Sequence, residues 1–151
     1  MAPMRSRVAS VLAAGLALGV ATEAGLAKSS PPPFKTGTYQ GTVTSNISGR
    51  EPGSRPAEVT IRKVGKGYRL RASLSVRVTC GDKPYRRELS FRGIRVDKPS
   101  GLFSGRTSRR QRAWTGTVSG QAKGRQITAT WNYAVPDGSC WGNGNLDASH
   151  R

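Results

Sequence analysis

YRLRASLSVRVTC, Tyr68 to Cys80, is the stretch that decides the fold. Leu70, Ala72, Leu74, Val76, Val78 and Cys80 alternate with Arg69, Arg71, Ser73, Ser75, Arg77 and Thr79. Successive side chains of an extended chain point to opposite sides, so a strict period of two predicts a strand with one face in a core and one in solvent. A helix would place apolar residues three and four positions apart. The polar face also poses a functional question, because it carries three arginines and no acid.

Reading outward from this strand, the same period recurs. Upstream, Val59, Ile61 and Val64 are assigned to one inner face, and Gly65-Lys66-Gly67 to a turn where glycine allows positive φ. Downstream, Gly81–Pro84 is a turn, followed by Leu89, Phe91, Ile94 and Val96. Alternation slips by one residue across Gly93, which predicts a β-bulge. Leu102 and Phe103 mark a short strand. Trp114, Gly116 and Val118, then Ile127, Ala129, Trp131 and Tyr133, form a second hairpin about a Gln121–Gly124 turn. Tyr39 and Val43 lie among threonines in a first strand. The Pro- and Gly-rich Ile47–Glu58 segment is a loop. Pro136–Cys140 is a turn, and the last residues end as an edge strand through Leu146 and Ala148. About eight strands with turn signals every 8–12 residues define an all-β chain, an antiparallel β-sandwich or a small β-barrel.

The ends read differently. Residues 1–27 have Arg5 and Arg7, an apolar run from Val8 to Ala21 and small residues at Ala24 or Ala27, the pattern of a Sec-type signal peptide. The apolar run is short for a membrane span of about 20 residues. Residues 28–35, KSSPPPFK, are a Ser/Pro-rich linker with nothing to bury, and residues 36–151 form a single β domain. The chain is therefore expected to be secreted, either periplasmic or extracellular, with no transmembrane segment after cleavage. In an oxidising compartment its two cysteines, Cys80 and Cys140, are expected to form a disulfide. Asn46-Ile47-Ser48 matches a glycosylation triplet, a pattern common by chance.

Charge is the dominant compositional feature. The chain of 151 residues has 25 Lys and Arg against 8 Asp and Glu, a net of +17. Removing Arg5, Arg7 and Glu23 with the leader leaves 23 against 7, so the exported part keeps +16. Arginine outnumbers lysine, and its planar fork matches phosphate and carboxylate geometry. Two clusters stand out: the strand face with Arg69, Arg71 and Arg77, joined by Arg92 and Arg95 on a neighbouring strand, and the Arg106–Arg112 loop with Arg109, Arg110 and Arg112. They are the candidate ligand-binding residues, for an anionic polymer (envelope polysaccharide or nucleic acid) or for lipid head groups at a membrane surface.

Gly37–Gly41 (G-x-Y-x-G), Cys80, the Gly-Leu-Phe-Ser-Gly of 101–105, Cys140 and Gly144 together resemble a group of small secreted bacterial, mostly actinobacterial, β domains of unknown function with one disulfide. Leu146 departs from that pattern, which has an aromatic there. The resemblance implies fold and export and brings no catalytic residue. Gly37-Thr38-Tyr39 is also similar to the Gly-x-aromatic opening of calycin-like barrels.

Recognisable enzyme chemistry is sparse. The only histidine, His150, is penultimate, where a chain is expected to fray. Two paired cysteines leave no zinc set, and GQAKGR lacks the end of a phosphate-binding loop. No catalytic residue, metal or cofactor is assigned, and the domain is expected to be non-enzymatic. Two alternatives are kept. A barrel could hold a small apolar ligand. A glycoside hydrolase could draw a carboxylate pair from Glu58, Glu88, Asp97, Asp137 and Asp147. Oligomeric state is not encoded in any feature of the sequence.

Overall fold

The computed structural model describes residues 30–47, 53–107 and 114–151. Eight strands follow one another: β1 Gly37–Ser45, β2 Gly53–Val64, β3 Gly67–Cys80, β4 Lys83–Val96, β5 Leu102–Arg106, β6 Thr115–Lys123, β7 Gln126–Ala134 and β8 Cys140–His150. Each pairs antiparallel with the next, and β8 pairs with β1, so the sheet closes into an up-and-down barrel. Closure decides between the two architectures left open by sequence. It also corrects the expected edge strand: β8 has neighbours on both sides, β7 and β1. The seam between β4 and β5 is the thinnest, reduced to one registered pair, Val96 with Phe103.

The inward residues are those the period of two selects. Tyr68, Leu70, Ala72, Leu74, Val76 and Val78 of β3 are all buried, as are Ile127, Ala129, Trp131 and Tyr133 of β7. Trp131, Tyr39 and Phe91 are the bulkiest fully buried side chains. One inner-face assignment fails. Val64 is exposed, because it lies out of step with Val59 and Ile61 beside the turn.

Three hairpins turn on two residues that begin with glycine, Gly65, Gly81 and Gly124, at φ of 58–59°. At Gly93, φ is +68°, and the β3–β4 register shifts there: Leu70 faces Ile94 but Ala72 faces Phe91. One residue, Arg71, thus stands opposite two, Arg92 and Gly93, which is the expected bulge. β2 begins at Gly53, inside the segment read as a loop, with Pro56 set opposite Thr42.

The two ends of the barrel are built differently. At one, β3 runs past the end of β2 and pairs directly with β8 at Thr79–Trp141 and Cys80–Cys140. The disulfide joins that last pair, Cα atoms 4.0 Å apart. At the other end Phe34 is 4% exposed and packs edge-on against Tyr68, ring centroids 5.1 Å apart. The Gly124 amide donates to the Pro33 carbonyl at 2.6 Å. The expectation that residues 28–35 have nothing to bury is therefore corrected at Phe34.

Candidate functional site

β-Register places the arginines. Arg62 of β2 faces Arg69 of β3, and Arg69 faces Arg95 of β4. All three are exposed on the outer face. Neighbouring strands lie about 4.8 Å apart, so these residues form one row of cations at that spacing. Arg71 stands two residues along β3 on the same face, with Arg92 across the bulge. A groove of about 420 Å³ runs over β2 and β3, bounded by Arg62, Arg69, Arg71, Glu58, Thr60 and Ser73, and reaches Gly93, whose missing side chain leaves it open.

Among the described residues the one ion pair is Arg86–Glu88, 3.2 Å. Arg62, Arg69, Arg71, Arg92 and Arg95 therefore have no carboxylate partner there. Like charges directly opposite one another on a sheet repel, at a cost of a few tenths of a kcal/mol or more per pair, roughly 0.2–1. Arg77 belongs to a different neighbourhood. It lies six residues from Arg71, about 20 Å along the strand, and faces Arg86. The Arg86 Nε donates to Ser75 Oγ at 2.8 Å and to Glu88 Oε1 at 3.2 Å. The predicted strand cluster thus divides, with Arg69, Arg71, Arg92 and Arg95 together and Arg77 apart. Arg109, Arg110 and Arg112 lie outside the described residues. Arg62 completes the row and was missed.

The carboxylates are largely occupied locally. Asp97 Oδ2 accepts from the Ser100 amide at 3.2 Å and from its hydroxyl at 2.5 Å. Asp137 Oδ1 accepts from the Ser139 amide at 2.8 Å. The Ser139 hydroxyl and then its amide hold the Asp137 carboxyl below the ordinary 3.8. Both are turn residues first. Glu58 stands in the arginine groove and Asp147 in a wider one, about 980 Å³, over β5–β8.

His150 does not fray. Its amide donates to the Arg125 carbonyl at 2.7 Å, its Nε2 lies 2.9 Å from the Thr36 carbonyl, and its ring meets Tyr39 edge-on at 5.1 Å. Its Nδ1 is buried without a partner. The Tyr39 hydroxyl donates to the Lys35 carbonyl at 2.6 Å, while burial pushes the phenol above its ordinary 10.0. Pairing across the barrel seam, which no local signal announces, is what orders the C-terminus. Among the described residues no three His, Cys, Asp or Glu side chains gather as a metal site, and no helix is long and apolar enough to cross a membrane.

Fold and surface together define a closed up-and-down β-barrel with one interstrand disulfide and an unneutralised arginine row on its outside. No protein-family model matches the chain, and no curated protein matches it.

Proposed function

We propose that this barrel is an exported, non-enzymatic module that binds anionic polymers on the outer face of β2–β4. The single observation that carries the proposal is the Arg62–Arg69–Arg95 row, three cations in register without a carboxylate partner among the described residues. Such a row repels itself when free and is neutralised by a ligand that brings several anions at once. Phosphate, sulfate and carboxylate all fit the guanidinium fork. The N-terminal leader pattern and the Cys80–Cys140 disulfide favour a location outside the cytoplasm. There the available polyanions are acidic polysaccharides, lipid head groups and free nucleic acid. The alternative of an internal apolar ligand gains no support, because Trp131, Tyr39 and Phe91 occupy the barrel interior.

Retention on immobilised heparin against a NaCl gradient tests the proposal. The unmodified chain should elute late. Replacing Arg62, Arg69 and Arg95 by Ser should advance elution and flatten the log–log salt dependence by nearly one unit per lost contact, about three in all. Unchanged elution of that variant would sink the proposal. A parallel Arg109, Arg110, Arg112→Ser variant locates the contact: if it alone lost retention, the loop and not the strand row would be the binding surface.

A further inference from the structure

The arginine row does not stop at β4. Val96 faces Phe103, the one registered pair between β4 and β5, so Arg95 and Ser104 are the next positions across that seam. Both line the wide groove over β5–β8. From Ser104 the register continues without a break through Ser119, Thr130 and Asn145. Seven outward residues on seven strands therefore form one belt, cationic over β2–β4 and uncharged over β5–β8. A second rung, one pleat period away, runs Leu102, Gln121, Thr128, Asp147.

The chemistry of this groove is that of polyol recognition. Ser104, Thr128 and Asn145 side chains have no protein partner among the described residues, and the Ser119 and Thr130 hydroxyls lie 3.5 Å apart. Leu102, 55% exposed, supplies one apolar surface for the carbon face of a sugar. Asp147 presents a carboxylate free of any ion pair among the described residues. A carboxylate repels anions of either kind but accepts strongly from paired hydroxyls, which a sugar chain presents and a DNA phosphate backbone does not. Among the described residues the groove lining also contains no exposed aromatic on which a base could stack. Followed around the sheet, Arg95 to Asp147 is four strand spacings, about 19 Å of backbone path, room for several sugars rather than one.

We infer that the belt binds an acidic polysaccharide, its anionic groups on the Arg62–Arg69–Arg95 row and its hydroxyls in the β5–β8 groove against Thr128, Asn145 and Asp147. The inference rests on the polyanion reading above and narrows it to one ligand class. Isothermal titration with a short oligogalacturonate and with a thymidine oligonucleotide tests it, using the unmodified chain, Asp147→Asn and Arg69→Ser/Arg95→Ser, each checked for unchanged tryptophan fluorescence and for a melting temperature no lower than that of the unmodified chain. Asp147→Asn should weaken the oligogalacturonate about tenfold, the effect of losing one charge-assisted hydrogen bond. The same change should tighten the oligonucleotide, which offers Asp147 no hydroxyl pair to offset the repulsion of its charge. The arginine double variant should weaken both. If Asp147→Asn left the oligogalacturonate unchanged or tightened it, the groove would not hold the sugar. If the oligonucleotide bound and the oligogalacturonate did not, the inference would fall and the polyanion reading would stand. If neither bound, both would fall.

Discussion

Gly144 shows how one absent side chain shapes the interior. It points inward on β8, and a Cβ built there would lie 1.8 Å from the Thr44 carbonyl oxygen and 2.8 Å from the Trp131 indole nitrogen. That indole donates to the same carbonyl at 2.8 Å, satisfying the one polar atom of the largest buried side chain. The β1–β8 ladder loosens at this point: Val43 faces Leu146, and the next bridge is Asn46 with Asn143. Thr44 Oγ1 instead accepts from the Asn145 amide at 3.2 Å. Gly144→Ala should therefore destabilise the barrel by about 1–3 kcal/mol, the usual cost of overpacking. Trp131→Phe, which leaves the Thr44 carbonyl without its donor, should cost about 1–3 kcal/mol from that loss alone. Both changes strike one hydrogen bond, so urea unfolding of the double variant should show less than the sum. Strict additivity would mean the two residues act separately. Sequence alone marks Gly144 only as a glycine in a strand, because the atom it makes room for comes from a residue a hundred positions away.

At the level of elements, β3 is the strand on which the rest depends. Its first eight residues pair with β2, and its last two, beyond the end of β2, pair with β8. Cys80–Cys140 fixes that second pairing. Closing a loop of 60 residues removes chain entropy from the unfolded state worth about 4 kcal/mol. Cys80→Ser with Cys140→Ser should lower unfolding stability by up to that amount while keeping a β-type circular dichroism spectrum, because β7–β8 and β1–β8 pairing remain. Hydrogen exchange should quicken first at Thr79 and Trp141. An unchanged denaturation midpoint would show that the bridge contributes nothing beyond the ladder. This strand was also the most legible in sequence: its alternation is uninterrupted, and every inner residue from Leu70 to Val78 is buried. The same local signals placed eight strands and the Gly93 bulge. Register was less legible. Reading Gly65-Lys66-Gly67 as a three-residue turn sets Arg62 opposite an inward residue. The actual turn has two residues, pairing Val64 with Gly67 and hence Arg62 with Arg69. One residue of turn length separates a scattered set of arginines from a row. Closure of β8 on β1, the ordering of His150 and the burial of Phe34 depend on contacts distant in sequence, which no periodicity reports.

For the whole molecule, the net charge of +17 sets stability against binding. Like charges face each other at Arg62–Arg69, Arg69–Arg95 and Arg77–Arg86, and a single ion pair is present among the described residues. Compact folding brings these cations together, so their repulsion weighs on the folded state more than on the expanded chain. Added salt screens them, the Debye length falling from about 10 Å at 0.1 M to 3 Å at 1 M. NaCl should therefore raise the melting temperature, where an ordinary mixed-charge domain would show little response. Relief of about 1 kcal/mol corresponds to roughly 2–8 °C for domains of this size range. The same salt should weaken polymer binding steeply, since each phosphate or carboxylate contact releases a counterion. Opposite signs from one variable tie the two effects to the same charges. The Arg62, Arg69, Arg95→Ser variant should lose a share of both, melting higher at low salt and eluting earlier from heparin. A polyanion added at low salt should mimic the stabilising effect of NaCl to the extent that it binds the arrayed arginines of the folded barrel more tightly than the dispersed ones of the unfolded chain. Differential scanning calorimetry from 0.02 to 0.5 M NaCl, about the range in which surface screening is established, checks this directly. A melting temperature that stayed flat, or fell, would mean that the arginines are dispersed enough to ignore one another. The row would then be a solvated surface with no stored repulsion for a ligand to relieve.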